Sequence, residues 1–130
     1  MKVRSVETSQ REQVVDITHL VGDAVFDLSL DHGVCFVFCP HTTAGLTINE
    51  CADPAVGIDI RKALERLVPD RRDWQHVEGN SPAHVKASLM GASVMIPVVD
   101  GMLRRGTWQG VLLCEFDGPR TREVWIQTGS

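Results

Sequence analysis

Residues 34–50 read VCFVFCPHTTAGLTINE, and this stretch decides how the chain folds. Val34 to Cys39 is a nearly continuous run of β-branched, aromatic and apolar residues, which is typical of a central β-strand. Pro40 interrupts the run, because proline cannot donate to the hydrogen-bond ladder of a sheet. An extended pattern resumes from Leu46 to Asn49. The stretch therefore predicts two strands joined by a turn that carries His41.

Three helices are predicted around this pair of strands. Residues 18 to about 31 place apolar side chains at helical spacing, and Gly33 suits a left-handed cap after them. Asp53-Pro54 combines a capping carboxylate with a first-turn proline, which predicts a helix to about residue 68. Ser81-Pro82 repeats that start signal, and Gly91 ends the third helix.

The other apolar segments have strand composition, and their connections Asp100-Gly101 and Asp117-Gly118-Pro119 are turn sequences. They are Val3–Thr8, Gln13–Ile17, Ser93–Val99, Thr107–Phe116 and Arg122–Gln127. Roughly seven strands with two or three helices predict an α+β fold, mostly antiparallel.

Length and composition limit the classes of protein to which the chain can belong. A length of 130 residues fits one domain over residues 1–130 and is too short for a TIM barrel. A formal net charge of −4, with no long basic run, argues against binding to nucleic acid. No apolar window is long enough to span a membrane, and the charged N-terminus does not resemble a signal peptide. We therefore expect a cytoplasmic protein that binds neither membrane nor nucleic acid.

The four cysteines, Cys35, Cys39, Cys51 and Cys114, form no Cys-x-x-Cys pair. A zinc ribbon or a redox dithiol is therefore not predicted. Cys35 and Cys39 lie too far apart along one predicted strand for a disulfide. We expect them to be reduced core residues.

Three of the five histidines lie in two segments rich in turn residues. His76 stands two residues from Glu78, so both side chains lie on one face if that segment is extended. His84 lies near the start of the third helix, where the helix dipole disfavours its protonated form. Together with His41, these imidazoles would suit a zinc site with one open position. Purely structural histidines, or a phosphate bound at the helix end near Lys86, remain alternatives.

Other polar and aromatic residues also have two interpretations. Asn49 and Glu50 end a strand before a helix, where they could cap that helix or belong to a site. For Arg104 and Arg105 a solvated turn is favoured over a phosphate clamp. Trp108 and Trp125 are expected to anchor the core.

The chain resembles the YjbQ-like proteins, also called the secondary thiamine-phosphate synthase family. The resemblance is carried by residues 40–50 (PHTTAGLTINE), by 80–91 apart from position 85, by 106–109 (GTWQ) and by 115–120 (EFDGPR). These blocks follow one another in the family's order over nearly the whole chain.

The resemblance implies a sandwich-like α+β subunit that assembles as a homotrimer, with a site in a cleft between subunits. His41, His76 and His84 would hold zinc or another divalent metal there. Seven further residues complete the predicted site. They are Glu78, Glu50 and Asn49 as catalytic groups, and Lys86, Thr42, Thr43 and Arg120 as substrate-binding groups.

The reaction implied by the resemblance couples hydroxymethylpyrimidine pyrophosphate to a thiazole phosphate, and Mg²⁺ could accompany the pyrophosphate. The main thiamine-phosphate synthases are TIM barrels, so we expect this to be a side activity. Two departures, Arg105 and the Trp74-Gln75-His76 sequence, leave all three histidines in place. A metal-dependent hydrolase of a small phosphorylated metabolite, and a non-catalytic trimeric metal- or metabolite-binding module, are the alternatives.

Overall fold

The computed structural model describes residues 1–71 and 73–130. In that part of the chain, three helices and eight strands follow one another. The helices are α1 (Thr18–Asp27), α2 (Pro54–Leu67) and α3 (Ser81–Met90). The strands are β1 (Lys2–Glu7), β2 (Gln13–Asp16), β3 (Gly33–Phe38), β4 (Ala44–Glu50), β5 (Ser93–Val99), β6 (Met102–Leu103), β7 (Gln109–Glu115) and β8 (Thr121–Gly129).

The strands form two antiparallel sheets. One has the order β1-β8-β3-β5-β6, and the other has the order β2-β7-β4. The main core lies between the sheets and α1, where Val21, Val37, Leu113 and Ile126 are fully buried. A second cluster packs α2 and α3 against Cys114 of β7 and against Phe116, which follows that strand. The predicted α+β, mostly antiparallel sandwich is confirmed.

The sequence predicts the start of α2 and the end of α3 correctly. Asp53 accepts a hydrogen bond from the Ala55 N–H at 2.9 Å, and Pro54 opens α2. Gly91, with φ of 98°, follows the last residue of α3. The left-handed region is open to glycine at no steric cost, so Gly91 ends this helix as expected.

The end of α1 and the role of Gly33 differ from the prediction. Helix α1 ends at Asp27 instead of near residue 31, because Ser29 already has a φ of 57°. Gly33 is not a helix cap but the first residue of β3, where an added Cβ would lie 2.2 Å from the Gly129 carbonyl oxygen. The sequence interpretation also missed β6, which pairs with β5 across Asp100-Gly101. Both of these turn residues have positive φ, as tight hairpins require.

The thiols match the prediction of a reduced core. Cys35, Cys39 and Cys114 are free and buried. Burial raises the pKa of Cys35 to about 11 and that of Cys114 to about 12, so both stay protonated near neutral pH.

Within the described ranges, no helix is long and apolar enough to cross a membrane.

The outer face of the five-stranded sheet carries apolar side chains that are exposed in the described part of the chain. Phe36 of β3 lies opposite Met95 of β5, and the two residues are 38% and 63% exposed. Phe38 stacks on Phe36 and contacts Trp125 of β8.

The prediction that Trp108 anchors the core is wrong, because its side chain is 64% exposed just before β7.

Candidate functional site

The turn between β3 and β4 is held against the end of α3. The Cys39 N–H donates to the Ala92 carbonyl at 2.7 Å, and the Leu46 N–H donates to the Gly91 carbonyl at 3.0 Å. One short segment after α3 is therefore bonded to both sides of the turn. This arrangement fixes where His41 lies relative to α3.

Gly45 allows α3 to approach β4 closely. A Cβ at this position would lie 2.8 Å from the Met90 Cβ and 2.9 Å from the Gly91 carbonyl oxygen. Any larger residue would push the helix away from the strand. The glycine in the PHTTAG sequence is therefore a packing requirement of the site.

An open cleft of about 540 Å³ lies between the turn and α3. His41 and Thr42 line it from the turn, and His84 and Ser88 line it from the helix. The Ser88 hydroxyl donates to the His84 carbonyl at 2.9 Å. Two of the predicted imidazoles thus line one small-molecule-sized space, which is called the histidine cleft below.

His76 joins this pair from the segment before α3. Its ring stands edge-on to that of His84, with the ring centroids 5.1 Å apart. Its Nε2 lies 3.7 Å from Glu78 Oε2, which is the pairing that the two-residue spacing predicts. The structure therefore brings Glu78, His76, His84 and His41 into one region.

His41 is anchored on its other side by β8. The Glu123 N–H donates to His41 Nε2 at 2.8 Å. Burial, followed by the nearby Arg122 charge, lowers the pKa of His41 below its ordinary value. This shift favours the neutral form of the imidazole.

The three histidines do not form a preassembled metal site within one chain. Among residues 1–71 and 73–130, no three His, Cys, Asp or Glu side chains form a group that could hold a metal ion. His41 already uses Nε2 to accept a hydrogen bond. Because a neutral imidazole has only one nitrogen lone pair for a ligand, His41 in this arrangement does not fit a metal.

Several other predicted site residues lie outside the histidine cleft. Glu50 lines a different cavity, of about 430 Å³, between β2 and α2. The Asn49 side chain accepts a hydrogen bond from the Glu50 N–H at 2.7 Å. Within one chain, neither residue is placed beside the histidines.

The predicted substrate-binding residues are similarly dispersed. Thr42 lines the histidine cleft, but Thr43 is buried. Lys86 is 3% exposed, and its Nζ lies 2.6 Å from Glu12 Oε1. Arg120 pairs with Asp117 at 3.3 Å. Of these four residues, only Thr42 and Arg120 offer exposed polar groups to a ligand.

The sequence interpretation missed a buried ion pair behind the cleft. Arg122 donates to both Glu115 carboxylate oxygens and, at 2.8 Å, to the Thr43 hydroxyl. The Glu115 carboxylate also accepts from the Asp117 N–H and the Thr8 hydroxyl, each at 2.9 Å. The available signal for this ion pair was Glu115, a charged residue within the otherwise apolar stretch from 111 to 116.

We expect this network to make stability dependent on acid pH. Burial alone raises the pKa of Glu115, but the hydrogen bonds and charge of Arg122, with the other donors, outweigh it and hold the pKa below its usual range. A carboxyl with a lowered pKa stabilises the fold above its unfolded pKa, and that stabilisation is lost as pH falls through the folded value. The free energy of unfolding measured with urea should therefore decrease below about pH 4.5, the ordinary pKa of a glutamate.

The control for this dependence is Glu115→Gln, which removes the titrating group at this position. It should lower stability near neutral pH and flatten the acid limb of the profile. An acid limb identical to that of the wild type would show that Glu115 does not cause it.

Comparisons with known proteins agree with the fold. The family model described as "UPF0047 protein YjbQ-like" matches residues 2–129. The UPF0047 protein MJ1081 of Methanocaldococcus jannaschii is 46% identical over 122 residues, which cover 94% of this chain and 88% of that protein. The UPF0047 protein YugU of Bacillus subtilis is 42% identical over 128 residues, covering 98% and 97%.

A solved structure gives the same result. The crystal structure of an uncharacterized conserved protein of the YjbQ/UPF0047 family from Clostridium acetobutylicum superimposes with a TM-score of 0.96. It is 50% identical, and the match covers 99% of this chain and all of that one. From the family match, the curated relatives and this structure, we conclude that the chain belongs to the YjbQ-like family, UPF0047.

Proposed function

We propose that the protein is a small-molecule enzyme in which the cleft lined by His41 and His84, with His76 beside it, carries out proton transfer and orients a phosphorylated substrate. The observation that carries this proposal is the juxtaposition of His41 and His84 across one cleft, with the His76–Glu78 pair beside His84. Imidazoles and a carboxylate at such distances are the usual groups of general acid–base catalysis.

The reaction that we propose is a secondary thiamine-phosphate synthase activity. The thiazole nitrogen attacks the methylene carbon of hydroxymethylpyrimidine pyrophosphate, the bond from carbon to oxygen breaks, and pyrophosphate leaves with the electron pair. In this scheme His84 and the His76–Glu78 pair donate protons to the pyrimidine and the departing pyrophosphate and accept protons from them. His41 and Thr42 position the substrate.

Departing pyrophosphate requires positive charge near its oxygens. Lys86 is already neutralised by Glu12. Arg120 is half-exposed and shares Asp117 with Asn80, the residue that precedes α3. We assign Arg120 as the residue of this chain that meets the phosphate groups, with Mg²⁺ entering as part of the pyrophosphate substrate.

Metal-dependent hydrolysis is a weaker candidate, because it would require a resident metal at the three histidines. The donor set of one chain does not fit that metal, since Nε2 of His41 is occupied by the Glu123 N–H. We derive no step through such a metal. Proton transfer by the same imidazoles needs no rearrangement of His41.

The homotrimer and the cytoplasmic location are also part of this proposal. The apolar outer face of the five-stranded sheet, where Phe36 and Met95 are exposed and Trp125 is half-buried, supports self-association. A surface of this kind commonly marks a protein–protein interface. The free buried thiols accord with a reducing compartment.

Complementation of a thiamine-phosphate synthase auxotroph tests the proposed activity. The wild-type gene should restore growth without thiamine, and a variant with His41, His76 and His84 all replaced by alanine should not. His32→Ala is the matched control, because His32 also stands beside a carboxylate, 3.6 Å from Asp100, but is far more exposed. Growth that survives the triple replacement would contradict the proposal.

Sedimentation equilibrium tests the trimer. We expect a mass of about three times the 14.4 kDa of one chain. Met95→Glu, which places a charge on the outer face of the sheet, should give monomers. Ile58→Glu, at an exposed apolar position on α2, should leave the mass unchanged. A monomeric wild-type protein would contradict the assembly.

A further inference from the structure

We propose that His41 acts as a fixed, neutral hydrogen-bond donor through its Nδ1–H, and that its partner is an oxygen atom of the ligand and not a metal ion. This inference rests on the proposed function in placing the ligand in the histidine cleft. It goes further by assigning the tautomer of His41 and the chemical class of its partner.

The first step in the argument is the register of β8. Phe38, the last residue of β3, lies opposite Trp125 of β8. Continuing this register would place Pro40 opposite Glu123, but Pro40 lies beyond the end of β3. The Glu123 N–H instead donates to His41 Nε2 at 2.8 Å. The side chain of His41 thus satisfies a strand amide that the end of β3 leaves free.

The second step is the tautomer. A neutral imidazole has one protonated nitrogen and one that accepts a hydrogen bond. Because Nε2 accepts from the backbone, the proton lies on Nδ1. His41 lines the cleft, so the nitrogen left for a ligand is a donor. Its natural partner is a carboxylate, carbonyl or phosphate oxygen.

The third step is that β8 holds the turn at two adjacent positions. Next to Glu123, Arg122 donates to the Thr43 hydroxyl at 2.8 Å and to the Thr43 carbonyl at 3.2 Å. The buried partner Glu115 in turn fixes Arg122. His41 cannot rotate toward a metal without losing the bond to Glu123. Arg122 is therefore a positioning residue for His41.

The test is NMR spectroscopy on wild-type, ¹⁵N-labelled protein near pH 8, well above the pKa of an ordinary imidazole. A scalar coupling across the hydrogen bond should connect the Glu123 amide nitrogen to His41 Nε2, and long-range proton–nitrogen spectra should show the proton on Nδ1. His41→Ala should abolish the coupling, and His76→Ala should retain it. A proton on Nε2, or no coupling in the wild type, would overturn the proposal.

Two additions to the same sample distinguish the ligand classes. One equivalent of zinc should leave the coupling intact, whereas its loss together with a shift of the Nε2 resonance would show metal ligation by His41. Inorganic pyrophosphate should shift the His41 Nδ1 resonance more than any resonance of His32. No shift at saturating pyrophosphate would overturn the donor role. Neither result depends on turnover, so the inference and the synthase activity can fail separately.

Discussion

Replacing Glu115 with alanine should lower the free energy of unfolding by about 3–5 kcal/mol, because it leaves the Arg122 guanidinium buried without its counter-charge. Glu115 is fully buried and Arg122 is 2% exposed. The lost carboxylate also removes the acceptor for the Asp117 N–H and the Thr8 hydroxyl. Urea denaturation followed by circular dichroism measures this change.

An exposed ion pair provides the matched control. Arg4 and Asp27 approach to 2.9 Å, but their side chains are 30% and 49% exposed. Asp27→Ala should therefore cost less than about 1 kcal/mol. Combining Glu115→Leu with Arg122→Met removes both buried charges and should recover much of the loss. An effect of Glu115→Ala no larger than that of Asp27→Ala would contradict the account of the network.

Lys86→Met should destabilise the fold by about 3 kcal/mol, because it leaves the Glu12 carboxylate without its ammonium partner. The Lys86 side chain is 4% exposed, and its Nζ contacts Glu12 Oε1 at 2.6 Å. Arg61 reaches the other oxygen only at 4.0 Å, so it replaces little of the lost interaction. Thermal and urea unfolding both report the effect.

Lys62→Met is the control for this substitution, since Lys62 is an exposed residue of α2. It should change stability by less than about 0.5 kcal/mol. Measuring KM for thiamine phosphate formation on the same Lys86→Met variant separates two roles for Lys86. Unchanged stability with a raised KM would make Lys86 a substrate-binding residue, as the family resemblance implies, and would contradict the structural role.

The parts of the fold that were predicted correctly depend on local chemistry. The apolar, β-branched run from Val34 to Cys39 indicated a strand, and Asp53-Pro54 indicated the start of a helix. The end of α1 was wrong because apolar spacing continues past Asp27, whereas Ser29 adopts a left-handed conformation that the pattern does not signal. The two-residue strand β6 is too short to leave a periodic signal.

The candidate site was predictable where two groups are close in sequence. The spacing of His76 and Glu78 is an example, and their contact is observed. Long-range partners were not predictable, because nothing in the local sequence links Glu123 to His41 or Glu12 to Lys86. The partners are 82 and 74 residues apart in the sequence. The first contact decides the tautomer of His41, and the second pairs Lys86 with Glu12 instead of with a ligand.

The most direct measurement of the central claim is the rate at which purified protein forms thiamine phosphate from the two phosphorylated substrates with Mg²⁺. The wild type should turn over, and His84→Ala should lower kcat about 100-fold or more, as expected on removal of a general acid or base. His32→Ala should retain the wild-type rate. Equal rates for His84→Ala and the wild type, or no product from the wild type, would contradict a catalytic role for the histidine cleft in this reaction.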